Sequence, residues 1–309
     1  MAARRSGRAI HGWLVVDKPS GLTSAAVIGI LRRLTGAAKA GHGGTLDPLA
    51  TGVLPVAFGE ATKTVGYAMA GAKDYRFTVR WGEGRDTDDC EGNVTAISDV
   101  RPSAEAIAAV LPRFSGAIEQ TPPAFSAVKV NGHRAYALAR ADQGVVNLQP
   151  RPAFIETIAL VDCPDPDHAT FRVRSGKGVY MRALARDIAA ALGTLGHISA
   201  LRRLGVGPFG EDQAVALATV RDLGADDLLD RYLQPLGAAM PDVPAITLTE
   251  TEARRLQHGQ AIATLPVASR SHAQGLRRDA VVYATLLGRP VALAQIKGCE
   301  IRPLRVLNV

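Results

Sequence analysis

One stretch of this sequence concentrates the residues that chemistry needs. Gly41-His42-Gly43-Gly44-Thr45-Leu46-Asp47-Pro48-Leu49-Ala50-Thr51-Gly52-Val53-Leu54-Pro55 sets three glycines within four residues shortly before a lone aspartate. Glycine lets the backbone take positive φ and approach a ligand closely, and Pro48 biases Asp47 toward an extended conformation. The loop therefore presents one carboxylate on a preset backbone. With an ordinary pKa of about 3.9, an aspartate is charged at neutral pH and can act as nucleophile or base without a metal. The other reading is an Asx turn in which Asp47 caps neighbouring amides, and spacing alone leaves both open. A phosphate cradle does not fit, because position 46 is Leu and no Gly-Lys-Ser/Thr follows. The acidic run Asp86-Thr87-Asp88-Asp89-Cys90-Glu91-Gly92 mimics a calcium loop but has Cys and Gly at the wrong positions, so a solvated turn between strands is expected. There is no Gly-x-Ser-x-Gly nucleophile elbow.

These residues must be held by regular elements. Gly12 to Val16 reads as a strand running into the turn Asp17-Lys18-Pro19-Ser20-Gly21. A helix follows, capped by Thr23 or Ser24, with Val27, Ile30, Leu31 and Leu34 on one stripe and Gly36 as its stop. Gly41 to Leu54 is punctuated as a loop. Tyr75 to Trp81 alternates with period two, a half-buried strand, and Ser103 to Arg113 is a short amphipathic helix. Phe125 to Val130, Ala153 to Asp162 and Thr170 to Arg174 read as strands, with a basic, polar stretch from His133 to Gln149 that projects as a loop. From Tyr180 a helix places Leu184, Ile188 and Leu192 on its core stripe, with Arg182 off that stripe. The proline-rich segment Pro235 to Pro244 marks a boundary, dividing the chain into residues 1–240 and 241–309. Beyond it, a helix over Thr249 to His258 and runs at Ala280 to Leu287 and Val291 to Ile296 indicate a small, mostly β module.

Composition narrows the classes. With 309 residues, 47% hydrophobic and 21% charged, the chain is long enough for a large domain plus a small one and too apolar for disorder. Net charge is +7, and 29 of the 36 basic residues are Arg, whose planar fork suits phosphate contact and base stacking, so a nucleic-acid partner is expected. No apolar run reaches the roughly 20 residues of a membrane span and Met1 to Arg8 lacks a signal peptide's apolar segment, which points to the cytoplasm. Cys90, Cys163 and Cys299 form no zinc or redox spacing and read as inert, buried or semi-buried thiols. The scattered histidines give no metal motif.

The Asp loop, preceded by Val16-Asp17-Lys18-Pro19-x-Gly21-x-Thr23-Ser24, closely resembles the tRNA pseudouridine synthase B family. Lys73-x-Tyr75, Gly178-x-Tyr180-x-Arg182 and Leu201-Arg202-Arg203-Leu204-x-Val206-Gly207-Pro208-Phe209 agree in order and spacing, over about residues 10–215 and more weakly beyond. Position 43 departs, with Gly where the family often has Thr. The resemblance implies an α+β chain: a mixed α/β catalytic domain around an antiparallel sheet, then a small β-rich PUA-like RNA-binding domain. It implies isomerisation of uridine 55 in the tRNA T loop by base flipping, with Asp47 catalytic and no cofactor or metal. Attack on the sugar, attack on the base and a glycal route all stay open. Arg182 would pair with Asp47 and hold it ionised, Tyr75 would stack on the flipped uracil and His42 would fill the space it leaves. Tyr180 and Leu201 would line the pocket, and Lys18 and Lys129 would contact RNA or loops. The partner would be the T arm of tRNA, with no membrane and a monomer as the default. A different class, a non-catalytic tRNA-binding or tRNA-folding protein, needs only the charge and the terminal module. A metal-free hydrolase using Asp47 as base fits the charge poorly.

Overall fold

The computed structural model describes residues 7–126, 148–271 and 277–309, with the backbone of 129–130 and 133–134. The strands of the first part are β1 (Gly12–Lys18), β2 (Ala40–His42), β3 (Thr51–Phe58), β4 (Lys73–Trp81), β5 (Glu83–Arg85), β6 (Val94–Ile97), β7 (Gly116–Gln120), β8 (Lys129–Val130) and β9 (His133–Arg134). They continue with β10 (Arg151–Asp165), β11 (His168–Ser175), β12 (Gly196–Val206), β13 (Phe209–Gly210) and β14 (Val215–Ala216). Ten of them form one sheet in the order β14-β1-β3-β12-β4-β11-β10-β7, with β2 on β3 and β13 on β12. The sheet is mixed: β1/β14 and β3/β12 are parallel and the other pairs antiparallel.

Both faces of the sheet are covered near β1 and β3, which explains their unbroken apolar runs. On one face Leu14, Val16, Leu54 and Val56 join Phe77, Val79 and Trp81 of β4, under Val27 and Leu31 of the helix Ser24–Thr35 and Leu184 and Ile188 of the helix Met181–Ala191. On the other, Trp13, Val15, Val53 and Phe209 pack against Leu236, Ala239 and Met240 and against Leu293 and Leu307 from the end of the chain. The segment around Pro235 to Pro244 is therefore a packed spacer: its turn Leu236–Ala239 seats the second sheet on the first. That second sheet holds β15 (Ala245–Thr247), β16 (Ile262–Ala263), β17 (Val281–Leu286), β18 (Arg289–Lys297) and β19 (Glu300–Val306), in the order β15-β17-β18-β19-β16. It encloses a core of its own around Ile246, Leu256, Val282, Ala292 and Ile301.

Most local expectations hold. Thr23 caps the helix Ser24–Thr35 by accepting from the Ala26 amide, and Gly36 ends it at φ 68°. Four readings change. The expected loop Gly41 to Leu54 is shorter, because β2 and β3 enter it from both sides and leave Gly43 to Ala50. Of the expected strand Phe125 to Val130, the described residues show bends at 124–126 and β8 at 129–130. The acidic run 86–92 is a turn between β5 and β6 that is only partly solvated: Asp86, Cys90 and Glu91 are exposed, whereas Asp89 is buried. The three cysteines are exposed, because they sit in that turn, at the outer end of β10 and in the β18–β19 hairpin. Most of the stretch His133 to Gln149 lies outside the described residues.

Candidate active site

The Asp loop bridges β2 and β3 and is pinned from three directions. From the helix Ser24–Thr35, the Ser24 hydroxyl accepts from the Leu46 amide at 2.8 Å and donates to the Leu46 carbonyl at 3.1 Å. From β1, Lys18 is wholly enclosed and its Nζ donates to the carbonyls of Pro19 (2.8 Å), Leu22 (2.6 Å) and Pro48 (3.1 Å). Burial drives the Lys18 ammonium down to about 8, opposed in part by the charges of Asp47 and Glu91. Lys18 thus holds the loop in place, its three protons directed at backbone. From β12, the buried Arg203 reaches the carbonyls of Val53 (2.8 Å) and Gly44 (3.0 Å), with Thr45 at 3.4 Å.

Two glycines make this close packing possible. Gly44 sits at φ 121° with the Arg203 guanidinium against it, and Gly52 sits at φ 98° where a Cβ would lie 2.2 Å from the Arg203 carbonyl oxygen. At position 43, the departure from the family pattern, a Cβ would stand 3.3 Å from the Trp13 ring.

Asp47 points out of this frame. Its Oδ2 accepts from Arg182 Nε at 3.0 Å, and its carboxylate caps no amide among the described residues, so the Asx reading is not the one adopted. Arg182 also donates to the carbonyls of Thr87 and Phe125, both at 2.9 Å, and its Nη1 lies 3.5 Å from Asp89. The Asp89 carboxylate is itself fixed by the Thr87 hydroxyl (2.6 Å) and the Glu91 amide (3.1 Å). The acidic turn and the 121–126 segment therefore roof over a helix face that periodicity alone assigns to solvent. The Arg182 side chain is only 6% exposed, whereas that of Asp47 is 38% exposed. A fixed buried cation beside an accessible carboxylate is the arrangement a charged nucleophile or base needs.

The other site residues surround this pair. Tyr180 caps the helix Met181–Ala191 and is bracketed by the buried Gln120, whose Oε1 accepts from the Tyr180 amide (2.8 Å) and whose Nε2 donates to its carbonyl (3.1 Å). Burial, with Asp47 contributing, raises the Tyr180 phenol. Tyr75 on β4 stands opposite Arg203 of β12 and packs, half-buried, against the main core. Leu201 of β12 is buried in the same core. His42 ends β2; burial and then the Arg203 charge lower its pKa, and its enclosed Nδ1 has no partner among the described residues. Lys129 lies in β8, opposite Arg134, and its side chain is outside the described residues. Sequence reading assigned no role to Arg203, Asp89 or Gln120. Only the double arginine Arg202-Arg203 and the acidic run marked two of them in advance.

The comparisons with known proteins agree along the whole chain. The model of the TruB family pseudouridylate synthase (N terminal domain) matches residues 32–181, and that of the tRNA pseudouridylate synthase B C-terminal domain matches residues 182–241. A tRNA pseudouridine synthase B of Rhodospirillum rubrum is 57% identical over 309 residues, covering 100% of both chains. One from Bradyrhizobium diazoefficiens is 52% identical over 318 residues, covering 99% of this chain and 88% of that one. Among solved structures, the crystal structure of a Cbf5-Nop10-Gar1 complex holds a chain that superposes with a TM-score of 0.72 at 26% identity, over 96% of this chain and 85% of that one. Identity of this order from end to end, on a fold that sets Asp47 against Arg182, makes the chain a member of the TruB family of tRNA pseudouridylate synthases.

Proposed function

We propose that the chain isomerises uridine to pseudouridine at position 55, in the T loop of tRNA. The observation that carries this reading is the accessible Asp47 carboxylate held by the enclosed Arg182. In the reaction the C1′–N1 bond breaks, the uracil turns over, C1′ bonds to C5, the C5 proton leaves and N1 gains one. Asp47 starts the cleavage, and Arg182 supplies the fixed positive charge beside it. Tyr75 stacks on the extruded base, His42 occupies the space the base leaves, and Tyr180 and Leu201 wall the pocket. Extruding a nucleotide costs a few kcal/mol, which stacking and phosphate contacts offset, and the arginine excess serves the second of these. Residues 1–240 act as the catalytic domain and residues 241–309 as a PUA-like RNA-binding domain, with Lys129 contacting the T arm. The protein works as a cytoplasmic monomer without cofactor or metal. Among the described residues no helix is long and apolar enough to cross a membrane.

Tritium release from a tRNA transcript carrying [5-³H]uridine, with no metal or cofactor added, tests the reading. Wild type releases tritium and Asp47→Asn does not, while both bind the transcript within about threefold. Tight binding with no release by either protein would replace this reading with that of a non-catalytic tRNA-binding protein.

A further inference from the structure

Among the described residues, Arg203 is the one buried guanidinium in the site that the proposed chemistry leaves without a task. It is 1% exposed, and among the described residues it makes no ion pair. An enclosed cation without a counter-ion is costly, and a neutral side chain of similar volume would fill the same space at less cost. Its contacts show what the charge holds. Nε and Nη2 donate to Val53 and Gly44, and Thr45 stands at 3.4 Å, so the guanidinium grips the backbone on both sides of Asp47. The acidic group it interacts with is the Tyr75 phenol. In the sheet Arg203 stands directly opposite both Gly52, at the exit of the Asp loop, and Tyr75.

We propose that Arg203 is a positioning residue for the isomerisation, tying the loop that carries Asp47 to the strand that carries Tyr75 so that both meet the same nucleoside. This rests on the role given to Tyr75 above. A lysine keeps the charge but has one nitrogen, which cannot span the two carbonyls and the phenol at once. The test compares wild type, Arg203→Lys, Tyr75→Phe and the double variant by single-turnover rate at saturating tRNA, tRNA Kd and thermal midpoint. Arg203→Lys should slow the chemical step by about 100-fold, the cost of a misplacement near 1 Å, with Kd changed by less than about threefold. The double variant should be less slow than the product of the two single effects, because Arg203 acts partly through Tyr75. A near-wild-type rate for Arg203→Lys overturns the inference. So does a slowing matched by an equal loss of affinity or of folded protein, or fully multiplicative effects in the double variant. A wild type that makes no pseudouridine, or a Tyr75→Phe variant as fast as wild type, overturns instead the reading on which the inference rests.

Discussion

Replacing Arg182 with Met separates what that residue does for folding from what it does for catalysis. Arg182 is 6% exposed and holds four groups: Asp47, Asp89 and the carbonyls of Thr87 and Phe125. Removing it leaves Asp89, 4% exposed, as a buried charge without its cation, and breaking such a pair costs about 3 to 5 kcal/mol. The contact with Asp47 is discounted because that carboxylate is more than a third exposed and solvent screens it. The lower end, about 3 kcal/mol, is expected, a fall in the thermal midpoint of roughly 5 to 10 °C. Adding Asp89→Asn removes the orphaned charge while still accepting from Thr87 and Glu91, so Arg182→Met/Asp89→Asn should recover most of that loss. Turnover should behave differently. Asp47 has lost its anchoring cation in both variants, and both should stay about 100-fold or more below wild type. Calorimetry and tritium release on the same preparations read the two effects. The reasoning is refuted if the double variant regains activity along with stability, or if the single variant melts with wild type.

Three further outcomes are expected. The folded Lys18 titrates near 8 against 10.5 for a free lysine, so between those values the unfolded chain binds the extra proton and stability must rise with pH. That contribution, at most about 3 kcal/mol, should vanish in Lys18→Met, whose thermal midpoint climbs less than wild type's from pH 8 to 10.5. Gly52→Ala forces a Cβ to within 2.2 Å of the Arg203 carbonyl at φ 98° and should cost about 3 kcal/mol or more, seen as an early denaturant midpoint. Gln120→Ala removes both brackets on Tyr180 and should lower the chemical rate by about tenfold with tRNA affinity nearly unchanged, measured by single turnover and filter binding.

What the sequence by itself determined is whatever near neighbours decide. The cap at Thr23, the left-handed stop at Gly36 and the alternation along β4 follow from residues within a few positions of each other, and all three stand in the fold. The Asp47 loop was legible for the same reason, since glycine spacing and Pro48 act on their own backbone. Burial was not legible in the residues, and pairing only through the family resemblance, which implied Arg182 beside Asp47 but gave Arg203 no partner. Arg182 meets Asp47 across 135 positions, and Arg203 meets Val53 and Gly44 across 150 and 159. Helical periodicity put Arg182 toward solvent, but the acidic turn and the 121–126 segment cover it. Lys18 read as a contact for RNA or loops, and the loops have it: the helix start and the Asp loop close around it and take its three protons on backbone carbonyls, a burial the sequence did not show. Desolvation and charge pairing depend on which distant segments come to lie over a side chain, and only the tertiary structure decides that.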